Sequence, residues 1–246
     1  MIEHKLTPRW TAQVRVEVAK DQELIDLMKA SNCHTVYIGL ESINPATLKA
    51  YNKKQSLEDI QNCIKILHKN RIRIHGMFVL GSDHDTADTI EDTLAFAKKN
   101  KLETVQFLIL TPLPGTKQYR DLESEGRIIS KDWSLYDAHH VVYEPRHMSY
   151  YDLQSGMINA TKRFYSIPQI ITRAVRFDMF NLSLKAYGYG LARKWAKKND
   201  YFLDYTKALT ETGKRIELAA KKTAEDIKIK FAEFDIAARR TRHTPA

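Results

Sequence analysis

Four strand-like segments recur through the first 110 residues at intervals of about 30 residues, with a helical pattern between each pair. No other feature of the chain restricts its fold as much. The segments are Trp10 to Val18, Val36 to Ser42, Ile72 to Gly81 and Thr104 to Leu110. Between them, Asp21 precedes an apolar pattern at Leu24, Ile25, Leu27 and Met28. Ser56-Leu57-Glu58-Asp59 resembles a capping box opening a helix to Lys69, and Thr86 to Asn100 carries Ile90, Leu94 and Ala97 on one side. Parallel strands require long crossover connections, usually helical. The order therefore predicts an α/β fold with a parallel sheet, either open or part of a barrel.

Side chains alternate across a strand, so each segment also states which face is buried. Val36, Ile38 and Leu40 share one face of the second segment; Thr35, Tyr37, Gly39 and Glu41 share the other. The first segment places Trp10, Ala12, Val14, Val16 and Val18 together, opposite Thr11, Gln13, Arg15 and Glu17. Fully covered parallel strands normally read as continuous apolar runs, so this alternation implies a polar concave face. Thr11, Gln13, Arg15, Tyr37, Glu41, Arg73, His75 and Gln106 are its expected lining. Glu41 ends its strand just before Asn44-Pro45. A carboxylate there is placed for chemistry in α/β folds, though a helix cap or a strand-end ion pair has the same sequence appearance.

The 246 residues carry a net charge of +9, distributed unevenly. Residues 1–167 hold 22 Lys and Arg against 21 Asp and Glu, whereas residues 168–246 hold 17 against 9. The basic final third, helical from Pro168 onward, suits an anionic partner or a solvated helical surface. Within residues 182–205, aromatic side chains such as Tyr187, Trp195 and Tyr201 alternate with Arg193, Lys194 and Lys197, as at a membrane interface, a partner groove or a helix packed on the barrel. Ile216, Ala220, Ile227, Phe231 and Phe234 form an apolar stripe farther on. No run of 18 apolar residues and no signal-peptide pattern is present, so a cytoplasmic, membrane-peripheral protein is expected. No nucleic-acid-binding signature is recognisable, which makes that partner unfavoured. The two cysteines, Cys33 and Cys63, read as small buried residues. A metal site built from Asp137, His139, His140 and His147 is disfavoured, because adjacent residues of an extended segment face opposite ways. Asp83, His84 and Asp85 read as turn and cap residues.

Four motifs in order resemble the C-terminal part of radical S-adenosylmethionine enzymes, in particular those with an N-terminal cobalamin-binding domain. They are Trp10-Thr11-Ala12-Gln13-Val14-Arg15, Tyr37 to Pro45 with Asn52-Lys53-Lys54-Gln55-Ser56, Gly76 to Asp83, and Thr111-Pro112-Leu113-Pro114-Gly115-Thr116. The resemblance implies that residues 1–153 form the last four β/α units of a partial (β/α)6 barrel, with residues 154–246 as a helical extension. By the same resemblance Glu41 would meet the methionyl ammonium of S-adenosylmethionine, with Ser42 beside it. Arg15 and Lys53 would meet the carboxylate or ribose. His75, Gly76, Met77 and Phe78 would pass the adenine, and Thr111, Pro112, Pro114, Gly115 and Thr116 would border the substrate opening.

One element of the family pattern is missing. The family's 4Fe-4S cluster is held by a Cys-x3-Cys-x2-Cys loop, and Cys33 and Cys63 cannot replace it. The chain is accordingly expected to be inactive alone, to require an N-terminal half that supplies the cluster loop and cobalamin domain, and to self-associate through the open edge of its first strand. The resemblance implies cobalamin-dependent methylation of an unactivated carbon, with a polycyclic lipid such as a hopanoid as one acceptor. The alternative is a non-catalytic module whose basic helices bind a partner, a membrane surface or nucleic acid.

Overall fold

A computed structural model describes residues 1–175 and 177–241, with side chains given through Thr223 and at Glu225, apart from Arg176 and Ala224. Four strands, β1 (Trp10–Val14), β2 (Cys33–Glu41), β3 (Arg73–Leu80) and β4 (Thr104–Ile109), lie side by side in sequence order, all parallel. Helices α1 (Gln22–Ala30), α2 (Pro45–Ala50), α3 (Leu57–Lys69) and α4 (Ala87–Lys99) lie in the connections, with α2 and α3 both between β2 and β3. The caps are those the sequence suggests. Asp21 accepts from the Leu24 N–H, and Ser56 and Asp59 bond reciprocally across the first turn of α3. The fold is four β/α units of an incomplete barrel.

The strand faces follow the alternation. Val36, Ile38 and Leu40, then Ile74, Gly76, Phe78 and Leu80, are buried beneath the helices with Val105, Phe107 and Ile109. Ile60, Ile64 and Leu67 of α3 and Ile90, Leu94 and Ala97 of α4 complete that core. Phe78 stacks on Phe107 at 5.8 Å between ring centroids. The opposite face is polar, and register aligns it in rows: Gln13, Tyr37, His75 and Thr104 lie across the four strands.

The expected strand from Trp10 to Val18 is a correction. It stops at Val14, and Val16–Lys20 form a 3-10 turn in which Val16 and Val18 remain buried. That turn packs against α3, where the Val18 N–H bonds the Arg15 carbonyl. Alternating valines serve a strand or a buried tight turn equally well, so the pattern alone does not locate the strand end. Arg15 is thereby left at the lip of the sheet in extended conformation.

Past β4 come α5 (Lys117–Ser124), then an antiparallel bridge between Ile128 and Tyr143 that buries Val141, Val142 and Tyr143. Helix α6 (Tyr150–Phe164) packs on α4 and β4 and adds Leu153, Met157, Ile158 and Phe164 to the main core. A boundary at residue 153 therefore falls inside a single packed helix. Helices α7 (Ile167–Val175), α8 (Met179–Lys198) and α9 (Asp200–Thr241) follow. Of the stripe expected on α9, Ile216 and Ala220 are exposed, while Ile227, Phe231 and Phe234 lie outside the described side chains.

Candidate functional site

At the C-terminal ends of β1 and β2 the polar face opens into a cleft of about 890 Å³, lined by Gln13, Arg15, Gly39, Glu41, Lys53 and Gln55 among others. Glu41 is presented by an irregularity in the sheet. The β2–β3 register slips between Gly39 and Glu41, and the Ser42 N–H bonds the Leu40 carbonyl at 2.8 Å around a Glu41 φ of 62°. This is a three-residue turn in a left-handed conformation that side chains seldom adopt, costing on the order of 1–3 kcal/mol. Gln55 steadies it, donating its Nε2–H to the Leu40 carbonyl at 3.1 Å.

The slip folds the carboxylate back over the strand. A Cβ at Gly39 would stand 2.7 Å from Glu41 Oε1, so only glycine leaves the carboxylate room there. Lys53 closes the other side, its Nζ donating to Glu41 Oε1 at 2.8 Å. An ion pair this exposed adds at most about 1 kcal/mol to stability. Its significance is chemical: two carboxylates, Glu17 and Glu41, and three cations, Arg15, Lys53 and Lys54, share one cleft, which suits a ligand carrying both charge signs.

The structure brings Arg15, Glu41 and Lys53 together and separates the other residues singled out from sequence. Ser42 adjoins Glu41 but is buried, its hydroxyl accepting from the Asn44 N–H at 3.0 Å. His75 and Met77 are on the concave face, whereas Gly76 and Phe78 point into the helix-side core, so only their backbone can edge a ligand. His75 lines a second cavity, described below, and not the Glu41 cleft. The Thr111–Thr116 loop follows β4, two strands from Glu41. Pro112 is buried there, Pro114 and Gly115 are exposed, and Thr116 caps α5 by accepting from the Tyr119 N–H at 3.2 Å. Thr111 donates to the Ile109 carbonyl at 3.1 Å. None of the five lines the Glu41 cleft.

Sequence reasoning missed Gly39 and Gln55 as supports of the carboxylate, although both lie within the motifs quoted for it. It also missed Tyr51, whose buried hydroxyl has no hydrogen-bond partner beside the cleft. Burial and the neighbouring Asp85 and Glu41 carboxylates raise its pKa well above the usual phenol range. Asp85 is a turn residue, as expected: it accepts from the Gly81 and Ser82 N–H groups and from Thr47 Oγ1. Arg127 and Arg146 both pair with Asp83. His140 is held between Asp137 and Asn199. Among the described residues, no three His, Cys, Asp or Glu side chains converge as metal ligands.

Comparison with known proteins identifies the segment that builds this cleft. The family described as the radical SAM superfamily matches residues 10–129. This segment belongs to the radical SAM superfamily. Beyond the superfamily, the bacteriochlorophyllide d C-12(1)-methyltransferase of Chlorobaculum tepidum is 32% identical over 170 residues, 69% of this chain and 37% of that protein. The bacteriochlorophyllide d C-8(2)-methyltransferase of the same organism is 34% identical over 147 residues, 57% of this chain and 33% of that protein. The hopanoid C-2 methylase of Rhodopseudomonas palustris is 26% identical over 121 residues, 49% of this chain and 23% of that protein. The chain thus spans about a third of the length of these two methyltransferases.

The radical SAM segment fits one of the groups the family implies. S-adenosylmethionine carries an ammonium, a carboxylate and a polar ribose, and the cleft sets Glu41 against Arg15 and Lys53 in enough volume to hold it. The cluster does not fit. Cys33 and Cys63 are both buried, burial raises both thiols, Cys63 to about 12, and cluster ligation needs several converging thiolates.

Proposed function

We propose that this radical SAM chain supplies the S-adenosylmethionine-binding wall of a methyltransferase whose cluster thiolates and cobalamin site come from another polypeptide segment. The observation that carries this reading is the Glu41 carboxylate, held in a strained turn over Gly39 and flanked by Lys53 and Arg15. When bound beside a reduced cluster, S-adenosylmethionine supplies the radical that activates an otherwise inert C–H bond.

The chain's own residues bind and orient. Glu41 accepts from the methionyl ammonium, displacing Lys53, which is then free with Arg15 to meet the carboxylate or ribose. Met77, with the backbone of Gly76 and Phe78, edges the adenine while His75 stays with the second cavity, and the Thr111–Thr116 loop borders the acceptor. Relatives named for bacteriochlorophyllides and a hopanoid support a large, carbon-rich acceptor. Peripheral contact with a membrane through residues 182–205 is supported by the exposed Tyr187, Leu191, Tyr201 and Tyr205. No helix among the described residues is long and apolar enough to cross a membrane.

Titration calorimetry of S-adenosylmethionine against the full chain tests the site. Glu41→Gln keeps the shape and removes the charge, and it is expected to weaken binding at least about tenfold, the effect of one charge-assisted hydrogen bond. Unchanged affinity in that variant would remove Glu41 from the site. Iron uptake after anaerobic reconstitution is expected only when a polypeptide carrying the cluster loop is added.

One observation favours a second reading, a partner-binding module. Every residue of α9 from Glu211 to Thr223 is exposed, including Ile216 and Leu218, as on a helix awaiting a partner surface. Association that weakens steeply with salt would point to an anionic partner.

A further inference from the structure

Below the Glu41 cleft, at the N-terminal half of the same concave face, lies a second cavity of about 660 Å³. Its floor is the sheet, at Thr11, Tyr37, His75 and Gln106; its roof is α8, at Leu184, Leu191 and Trp195. The two chambers are chemically opposite. Arg15, Glu17, Glu41, Lys53 and Lys54 line the upper one, while not a single Asp, Glu, Lys or Arg lines the lower. In a chain with 28% charged residues that segregation decides what each chamber admits.

The gap is built into the packing. Tyr165, at the end of α6, stands between sheet and helix, its hydroxyl both accepting from the Val105 N–H and donating to the Val105 carbonyl, each at 2.9 Å. Gly188 of α8 sits against the Tyr165 ring so closely that a Cβ there would clash with it. Helix α8 otherwise rests on α6 and α7, so the ring holds it off the strands at a fixed spacing. Two apolar and aromatic walls thus face each other across the chamber. Burial lowers the basicity of His34, His75 and His139, and a cation at the rim, Arg73, is engaged, its guanidinium bonded to His34 Nε2 at 2.7 Å and 4.2 Å from the centroid of the Phe180 ring. The backbone of His139 is bonded to Asp137 and Gln154, whereas its imidazole makes no hydrogen bond among the described residues and its centroid lies 5.6 Å from that of a Trp195 ring.

We propose that the chamber beneath α8 is a binding site for an uncharged, ring-bearing apolar small molecule, received between the Tyr37–His75 platform and the α8 roof. Tyr37 and His75 pair at 4.7 Å between ring centroids and offer a surface for a flat ring system, and His139 supplies one hydrogen bond. The inference uses only this chamber and stands whether or not methyl transfer is the reaction.

The test is fluorescence titration of the full chain with N-phenyl-1-naphthylamine, an uncharged fused-ring amine, beside 8-anilinonaphthalene-1-sulfonate, the same rings bearing a sulfonate. The neutral probe is expected to bind saturably at one site, at least tenfold tighter than the sulfonate, and to quench Trp195 in a manner lost in Trp195→Phe. Ala192→Trp, which fills the chamber, and Leu184→Glu, which charges it, should each weaken binding at least tenfold, whereas Leu24→Glu on the exposed side of α1 should not. Saturating S-adenosylmethionine should leave the neutral probe in place. Non-saturable binding, equal affinity for the two probes, persistence of the full quench in Trp195→Phe, or displacement by S-adenosylmethionine would each overturn the proposal.

Discussion

Gly39 and Glu41 form a functional pair two residues apart on one face of β2, coupled by the 2.7 Å that would separate a Cβ at one from the carboxylate of the other. In Gly39→Ala the methyl group displaces the carboxylate toward Lys53, while the strand conformation itself accepts alanine. Stability should rise by about 0.5 kcal/mol through the unfolded chain, while S-adenosylmethionine affinity falls about tenfold. Thermal melts and calorimetry on one preparation separate the two effects. A parallel loss of both would mean that Gly39 serves only the fold. Glu41 itself was legible because it closes an alternating strand. The turn that presents it was not, since a left-handed glutamate leaves no trace in composition or periodicity.

Helix α8 is held in place against an electrostatic opposition. Lys185 is buried, its Nζ 3.2 Å from the centroid of the Phe164 ring and 5.1 Å from that of Tyr165. Desolvation, and then the charge of Arg173, lower its pKa from 10.5 to about 7. Below about 7 the amine is charged both folded and unfolded, and its burial opposes docking fully. Between about 7 and 10.5 the unfolded chain holds a proton that the folded chain lacks, so stability rises with pH across that window. Hydrogen exchange over Met179–Lys198, corrected for intrinsic rates, should therefore show stronger protection at pH 8.5 than at pH 6.5, with the dependence abolished in Lys185→Met. Elements were the best-read scale in the sequence: α1 and α3 begin at their expected caps because capping is local chemistry. The place of α8 over the sheet was illegible, because it depends on Gly188 meeting Tyr165 across the fold, and local sequence carries no sign of that contact.

At the scale of the molecule, β1 pairs only with β2, so among the described residues its outer edge satisfies no neighbour. The far edge is partly covered, the Ile109 N–H donating to the Ala138 carbonyl at 2.7 Å. The chain should therefore show concentration-dependent association in sedimentation velocity, reversed by a polypeptide that pairs with β1. A single monomeric species at all concentrations would mean that the edge is protected in solution. The parallel order of the sheet was readable from the strand–helix rhythm, and its polar face from alternation. That this face divides into a charged and an uncharged chamber was not readable, because the roof of the lower one comes from a helix distant in sequence. The Tyr165 side chain that props that roof, its hydroxyl on the sheet and its ring on α8, acts as a strut whose removal should let the roof descend onto the strands and erase the lower chamber.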